Sequence, residues 1–241
     1  MNLVKPYTKT KLENTCINKN SGKNYSEKYP LYFKWKFGTI NIRTGKEQSD
    51  GARLYMVAKQ VADADLHICS LQEVRFRNSG KKIINLDSGE SYVFFWSGPK
   101  QRRDAGVGIL IKQCKDITHE DPDILDPRII AMNITIKGYS IRLVNAYAPT
   151  NCDGSDSTKD ALYRRLGKAS KKQQKNQKLV INEDFNATTS ISTKLCYYDG
   201  RSIVEDSLCN DNGLRLEQYC QEKASCISQS YFNQPYEQRY T

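Results

Sequence analysis

The sequence predicts an α/β fold in which two β-sheets pack face to face as a sandwich, with helices on the outside. Three observations lead there. Residues 128–136 and 140–147 are apolar runs separated by Lys137-Gly138, the signature of a hairpin. Leu54, Val57, Ala58 and Val61 recur at helical spacing, so 51–63 should be an amphipathic helix lying on a sheet. Short apolar runs elsewhere alternate with that helix and with two later helical segments, so the strands are joined partly by hairpins and partly by helices.

In chain order, residues 1–34 are rich in Asn, Lys, Ser and Gly without periodicity and read as a flexible basic arm, which leaves 35–241 as the folded domain. The first apolar run spans 37–44 and encloses Asn41. After the helix at 51–63, strands are expected at 66–72, 91–97 and 106–112, with a turn at Asp87-Ser88-Gly89 before the second of these. Pro149 ends the ladder after the hairpin. A helix over 158–176, a strand over 178–182 and a helix over 212–222, capped by Asp211 or Asn212, complete the pattern.

At 241 residues the chain can bury a substantial single core, and 38% hydrophobic content with 10% aromatics argues against wholesale disorder. No stretch approaches the roughly 20 apolar residues that cross a bilayer, and the amino end has no apolar signal core, so a soluble intracellular protein is expected, in nucleus or cytoplasm. The eight cysteines are scattered and form no Cys-x-x-Cys pair, which argues against a zinc site and for reduced thiols. Lys and Arg outnumber Asp and Glu by 37 to 27, a net charge of +10. That excess is local: residues 1–36 carry +6 and Arg164 to Lys178 carries +7, so the remainder nets −3. The second run is either the solvated face of a helix or a phosphate contact.

Four segments end short apolar runs in polar residues. Leu179-Val180-Ile181-Asn182-Glu183-Asp184-Phe185-Asn186 delivers Asp184 and Asn186 to a strand end, and period-2 alternation puts both on one face. A carboxylate beside a carboxamide suits chemistry on a hydroxyl or water, although Asp-x-Asn is also a turn initiator. Asn41 sits within Gly38-Thr39-Ile40-Asn41-Ile42-Arg43, Glu73 ends Leu71-Gln72-Glu73-Val74-Arg75, and Tyr147 ends Leu143-Val144-Asn145-Ala146-Tyr147-Ala148-Pro149. Singly, each has a structural reading: a core amide, a solvated strand end, a core-edge aromatic.

Taken together and in order, these motifs resemble the endonuclease/exonuclease/phosphatase superfamily. They are most similar to its retrotransposon-type endonucleases and craniofacial development protein 2-like members, with Ala105 to Leu110 and Asn210 to Leu216 extending the resemblance over about 35–241. The resemblance implies a two-sheet sandwich and hydrolysis of a phosphodiester in DNA with Mg²⁺ or Mn²⁺. Glu73 would be the metal carboxylate, with Asn41 beside it. Asp184 would align or deprotonate the attacking water, Asn186 would hold that water or the phosphate, and Tyr147 would donate to a phosphate oxygen. Arg43, Asn212 and Thr241 would contact DNA phosphates.

Two departures shape the expectation. The family pattern is completed by a later Asp and a Ser-Asp-His, which have no counterpart up to Thr241; His67, inside an apolar strand, and His119, in an acidic loop, match neither. A chain without the last strands would expose a sheet edge for a partner to cover, melt marginally, and turn over weakly. Glu183 stands where the pattern has Gly, and would crowd the site or raise the pKa of Asp184. The alternatives are a catalytically inactive DNA-binding or interaction relic and a phosphatase on the same fold.

Overall fold

The computed structural model describes residues 35–43, 52–101, 105–152, 154–189 and 209–227. The basic arm at 1–34 and Thr241 lie outside the described residues. The elements in order are β1 (Phe37–Asn41), α1 (Ala52–Asp63), β2 (Ile68–Gln72), β3 (Ser79–Asn85), β4 (Ser91–Ser97), β5 (Val107–Lys112), β6 (Ile117–His119), β7 (Asp123–Asp126), β8 (Ile129–Ile136), β9 (Tyr139–Tyr147), α2 (Asp156–Lys171), β10 (Lys178–Asp184) and α3 (Asp211–Lys223).

Two mixed sheets form. One has the order β1-β2-β5-β4-β3, and the other β10-β9-β8-β6 with β7 also paired to β8. Each contains one parallel pair, β1 with β2 and β10 with β9, at the edge of its sheet. The remaining pairs are antiparallel, including the expected hairpin of β8 and β9 across Lys137-Gly138.

Period-2 alternation sorts the side chains into three apolar layers. Leu54, Val57, Ala58 and Val61 of α1 cover the outer face of the first sheet, against Cys69, Leu71, Phe94 and Leu110. Between the sheets, Ile68, Val93, Phe95 and Ile109 meet Ile130, Met132, Ile134 and Leu143. On the outer face of the second sheet, Ala131, Val144 and Ala146 are covered by Leu162, Leu166 and Ala169 of α2 and by Leu216, Tyr219 and Cys220 of α3. The order of layers is thus helix, sheet, sheet, helices, as expected.

The departures from expectation have local causes. Strand β3 buries one apolar side chain, Ile84, and exposes Lys81, Lys82 and Ile83, so an edge strand with charged gatekeepers carries little periodic signal. Strands β6 and β7 span only three and four residues. His119, expected in a loop, pairs with Ile134 in β6 and sets its ring edge against Phe95. His67 lies just before β2, not inside it, with its ring edge against Trp35. Helix α2 begins at a Ser155 cap and stops at Lys171, where the Gln173 and Gln177 side chains close a turn back on the chain. The cap of α3 is Asn210, not Asp211 or Asn212: its Oδ1 accepts from Gly213 N at 2.8 Å.

The second sheet carries one buried cation. Arg142, 2% exposed, donates to Asp123 Oδ2 at 2.6 Å, to Asn133 Oδ1 at 3.2 Å and to Ala169 O at 3.3 Å, tying β7, β8 and α2 to β9. Burial works to raise the Asp123 carboxyl, but hydrogen bonds from Arg142 and Lys172 hold it below its ordinary 3.8. Its contribution is present above pH 3.8 and is lost as pH falls below it. Asp123→Asn leaves a buried guanidinium without its anion, and a charged hydrogen bond of this kind is worth about 1.5–3 kcal/mol. The variant is expected to melt several degrees lower than the wild type at pH 7, with the gap closing in acid, as followed by circular dichroism.

Candidate active site

The two parallel pairs run their strands toward the same end of the sandwich. Asn41 is level with Gln72 across β1 and β2, and Asp184 is level with Tyr147 across β10 and β9. One step past Gln72 the chain turns at Glu73. Four polar groups from four strand ends, and from both sheets, therefore meet on one rim.

Their contacts are direct. The Asn41 Nδ2 donates to Glu73 Oε1 at 2.9 Å and to Asp184 Oδ2 at 2.7 Å. The Tyr147 hydroxyl donates to the same Glu73 Oε1 at 3.0 Å, while Arg75 Nη2 donates to Glu73 Oε2 at 2.7 Å. Asn41 thus stands between two carboxylates with its N–H groups facing them, and its Oδ1 accepts from Arg43 N at 2.9 Å. Asn41 thus orients both carboxylates through its nitrogen, while its oxygen is held by the backbone of Arg43.

Burial works to raise the Glu73 carboxyl, but hydrogen bonds from Asn41, Arg75 and Tyr147 and the charge of Arg75 hold it below the ordinary 4.5. Burial, then the adjacent Glu73, pushes the Tyr147 phenol up to about 12, so it is a neutral donor at physiological pH. Arg128 lies over the Tyr147 ring, 5.0 Å from its centroid.

Four of the eight non-glycine residues with positive φ among the described residues lie at the rim: Arg43, Glu73, Arg75 and Asn186, between 48° and 56°. For Glu and Arg such a conformation costs on the order of 1–3 kcal/mol, and residues held in it cluster at functional sites.

The strand geometry ends before Asn186. With φ at 48°, its N–H turns back to Asp184 Oδ1 at 3.2 Å and its Nδ2 donates to Ala148 O at 3.0 Å. This geometry is that of the turn initiator: Asn186 is brought to Asp184, and its amide nitrogen is spent within the loop. Its carbonyl oxygen accepts from Asn151, Asn210 and Asn212 at 3.1, 3.1 and 3.4 Å. Gly213 lets the first turn of α3 approach this loop, since a Cβ there would sit 1.9 Å from Thr188 O.

Two expectations change. Asn212 is fully buried, with its Nδ2 on Pro149 O at 2.9 Å, so it braces the Asn186 loop and is not a surface phosphate contact. Glu183 does not crowd the rim: one residue before Asp184, it points to the opposite face, where its charge acts on Tyr163 and Tyr219. Arg43 is exposed at the rim. The sequence reading missed Arg75, although its place two residues after Glu73 was in view. It also missed Gln72, Asn145 and Asn182, polar residues on the inner faces of otherwise apolar strands.

No family model matches the chain. It is 22% identical over 204 residues to craniofacial development protein 2 of Bos taurus, covering 85% of this chain and 32% of that protein. The chain therefore spans about a third of the length of that relative. The resemblance read from the motifs is borne out by this match. Among solved structures it is similar to the endonuclease domain of TRAS1, a telomere-specific non-LTR retrotransposon, with 16% identity, TM-score 0.45 and coverage of 76% of this chain and 68% of that one. It is also similar to D. rerio TDP2 complexed with a single-strand DNA product, with 12% identity, TM-score 0.40 and coverage of 62% and 59%.

Glu183 supplies a test of the strand's two faces. Its Oε2 is buried without a hydrogen-bond partner, and burial followed by the charge of Asp184 raises its pKa well above 4.5. A raised carboxyl favours the protonated folded state, so its cost is absent below pH 4.5 and grows as pH rises. An orphaned buried polar group costs about 1–3 kcal/mol. Glu183→Gln is therefore expected to raise the melting temperature by a few degrees at pH 8 and to leave it unchanged at pH 4, by differential scanning calorimetry.

Proposed function

We propose that the chain is a metal-dependent phosphodiesterase of endonuclease type acting on DNA. The observation that carries this reading is the rim cluster: two carboxylates from different sheets, Glu73 and Asp184, held by one carboxamide, with a phenol and a guanidinium on the same carboxylate.

The donor set suits a hard divalent cation. Glu73 stays ionised at neutral pH, all available side-chain ligands are oxygens, and Mg²⁺ is commonly held by one or two carboxylates while keeping several waters. Glu73 would hold Mg²⁺ or Mn²⁺, with Asn41 fixing its carboxylate. Such an ion, when bound, neutralises phosphate charge and acidifies water. Asp184, anchored by Asn41 and by the Asn186 N–H, would align a water and accept its proton. Tyr147, whose neutral hydroxyl donates to Glu73 Oε1, would turn that donor to a phosphate oxygen when substrate enters. Asn186 completes the loop that aims Asp184. Exposed Arg43 would meet the DNA backbone, as would Thr241.

A second reading has its own support. Among the described residues no group of three or more His, Cys, Asp or Glu gathers in a metal-holding arrangement, and Arg75 already occupies Glu73 Oε2. These observations favour the catalytically inactive alternative, a DNA-binding or interaction relic.

Nicking of supercoiled plasmid in Mg²⁺ against EDTA separates the readings. Metal-dependent nicking that drops about 10²–10³-fold in Glu73→Ala and in Asp184→Ala supports the nuclease. Salt-sensitive DNA binding by folded protein without nicking supports the second reading. Release of inorganic phosphate from a phosphomonoester would point to a phosphatase instead.

A further inference from the structure

The inner faces of β1, β2, β9 and β10 change character along their length. At the far end they are apolar: Phe37, Ile68, Leu143 and Val180. Two residues on, the same faces carry Thr39, Ser70, Asn145 and Asn182. Two further on, they carry Asn41, Gln72, Tyr147 and Asp184. An uncharged polar layer therefore separates the apolar core from the charged rim.

That layer is tied across the sheets. Gln72 Nε2 donates to Asn145 Oδ1 at 2.8 Å and to Thr39 Oγ1 at 2.8 Å. Asn145 Nδ2 donates to Leu71 O at 2.9 Å and to Gly108 O at 2.7 Å. Asn182 Nδ2 donates to Ser70 Oγ at 3.1 Å and to Gly38 O at 3.4 Å. Gln72 and Asn145 are 1% and 0% exposed, so no solvent competes for these bonds. One residue after Gln72 comes Glu73, and two after Asn145 comes Tyr147.

We propose that Asn145 is a positioning residue for the rim: gripping Gln72 and the carbonyls of Leu71 and Gly108, it fixes the strand that presents Glu73 against the strand that presents Tyr147. Apolar contact between sheets is non-directional and tolerates small slides. The Tyr147–Glu73 hydrogen bond at 3.0 Å does not, because it weakens steeply with distance and angle. Asn145 supplies three directional bonds at the level just below that contact. Buried amides are costly unless fully paired, and the Asn145 amide is paired at both its nitrogen and its oxygen. The consequence for turnover rests on the nuclease reading; the consequence for rim geometry does not.

The experiment compares Asn145→Ser, Gln72→Met and a control, Met132→Ala, in the full chain. Met132 is equally buried between the sheets but is not part of the polar layer. The first readout is the ¹³C shift of the Tyr147 ring carbon bearing the hydroxyl in tyrosine-labelled protein, assigned with Tyr147→Phe. It should move in Asn145→Ser and Gln72→Met as the bond to Glu73 loosens, and stay fixed in Met132→Ala at a similar loss of melting temperature. The second readout is Mn²⁺ affinity by electron paramagnetic resonance with kcat and KM for plasmid nicking. Loss of a supporting partner typically costs 10–100-fold in affinity or activity, so Mn²⁺ binding and kcat should fall about tenfold or more with KM within about twofold. If both polar variants merely melt lower, with the Tyr147 signal, Mn²⁺ affinity and kcat matching those of Met132→Ala, the proposal is overturned. Should Asn145→Ser fail to fold, Gln72→Met alone decides by the same criteria. A wild type that neither binds Mn²⁺ nor nicks removes the proposed function, and the Tyr147 shift then decides the positioning role by itself.

Discussion

Everything at the rim depends on how two carboxylates from separate sheets come to share one small volume. Glu73 and Asp184 are 111 residues apart in the sequence, and without help their charges would push the strand ends apart. The Asn41 carboxamide resolves the conflict by giving one N–H to each. It adds no charge, so it does not neutralise either carboxylate. A lysine there would satisfy both acids permanently; an aspartate would make repulsion threefold. The chemistry available at this rim follows from the choice of a neutral bridging donor.

The same logic explains the strand order. Parallel pairing of β1 with β2 and of β10 with β9 sends four chain ends to one side, where turns are free to take positive φ. An all-antiparallel sandwich would place half of those ends at the opposite edge. The hairpins elsewhere build core; the parallel pairs build the site. That division explains why the longest apolar strands, β8 and β9, were readable from sequence with their turn, whereas β3, β6 and β7 were not. Strand β3 hides behind surface lysines, and β6 and β7 are too short to show a period.

Within the site, legibility tracked what each residue contacts. Asn41, Glu73, Tyr147 and Asp184 were readable because a polar residue closing an apolar run is locally conspicuous, and the structure brings those four together. Asn212 misled because a polar residue in a helix's first turn looks the same from sequence whether it faces water or a buried loop. Arg75 escaped because an arginine just past a strand looks like ordinary surface charge until its guanidinium is seen on Glu73 Oε2. Asn145 and Gln72 were in plain view inside quoted motifs. Their meaning depends on a pairing between residues 73 positions apart, which no local pattern encodes.

Glu183 and Asp184 show how far one residue of strand register reaches. Both are carboxylates at the end of β10, yet Asp184 receives two N–H groups, while Glu183 Oε2 receives none and lies under Tyr163 and Tyr219 on the other face. The first is held ready at the rim; the second is a cost borne by the fold. A sequence that only needed an acidic strand end could have placed the pair in either order. Only one order puts a carboxylate within reach of Asn41, and the pairing of β10 with β9, which sets Asp184 level with Tyr147, fixes it. The polar layer and the rim are therefore one construction: the specificity of buried hydrogen bonds is used where apolar packing would leave the distance between the strands of Glu73 and Tyr147 undefined.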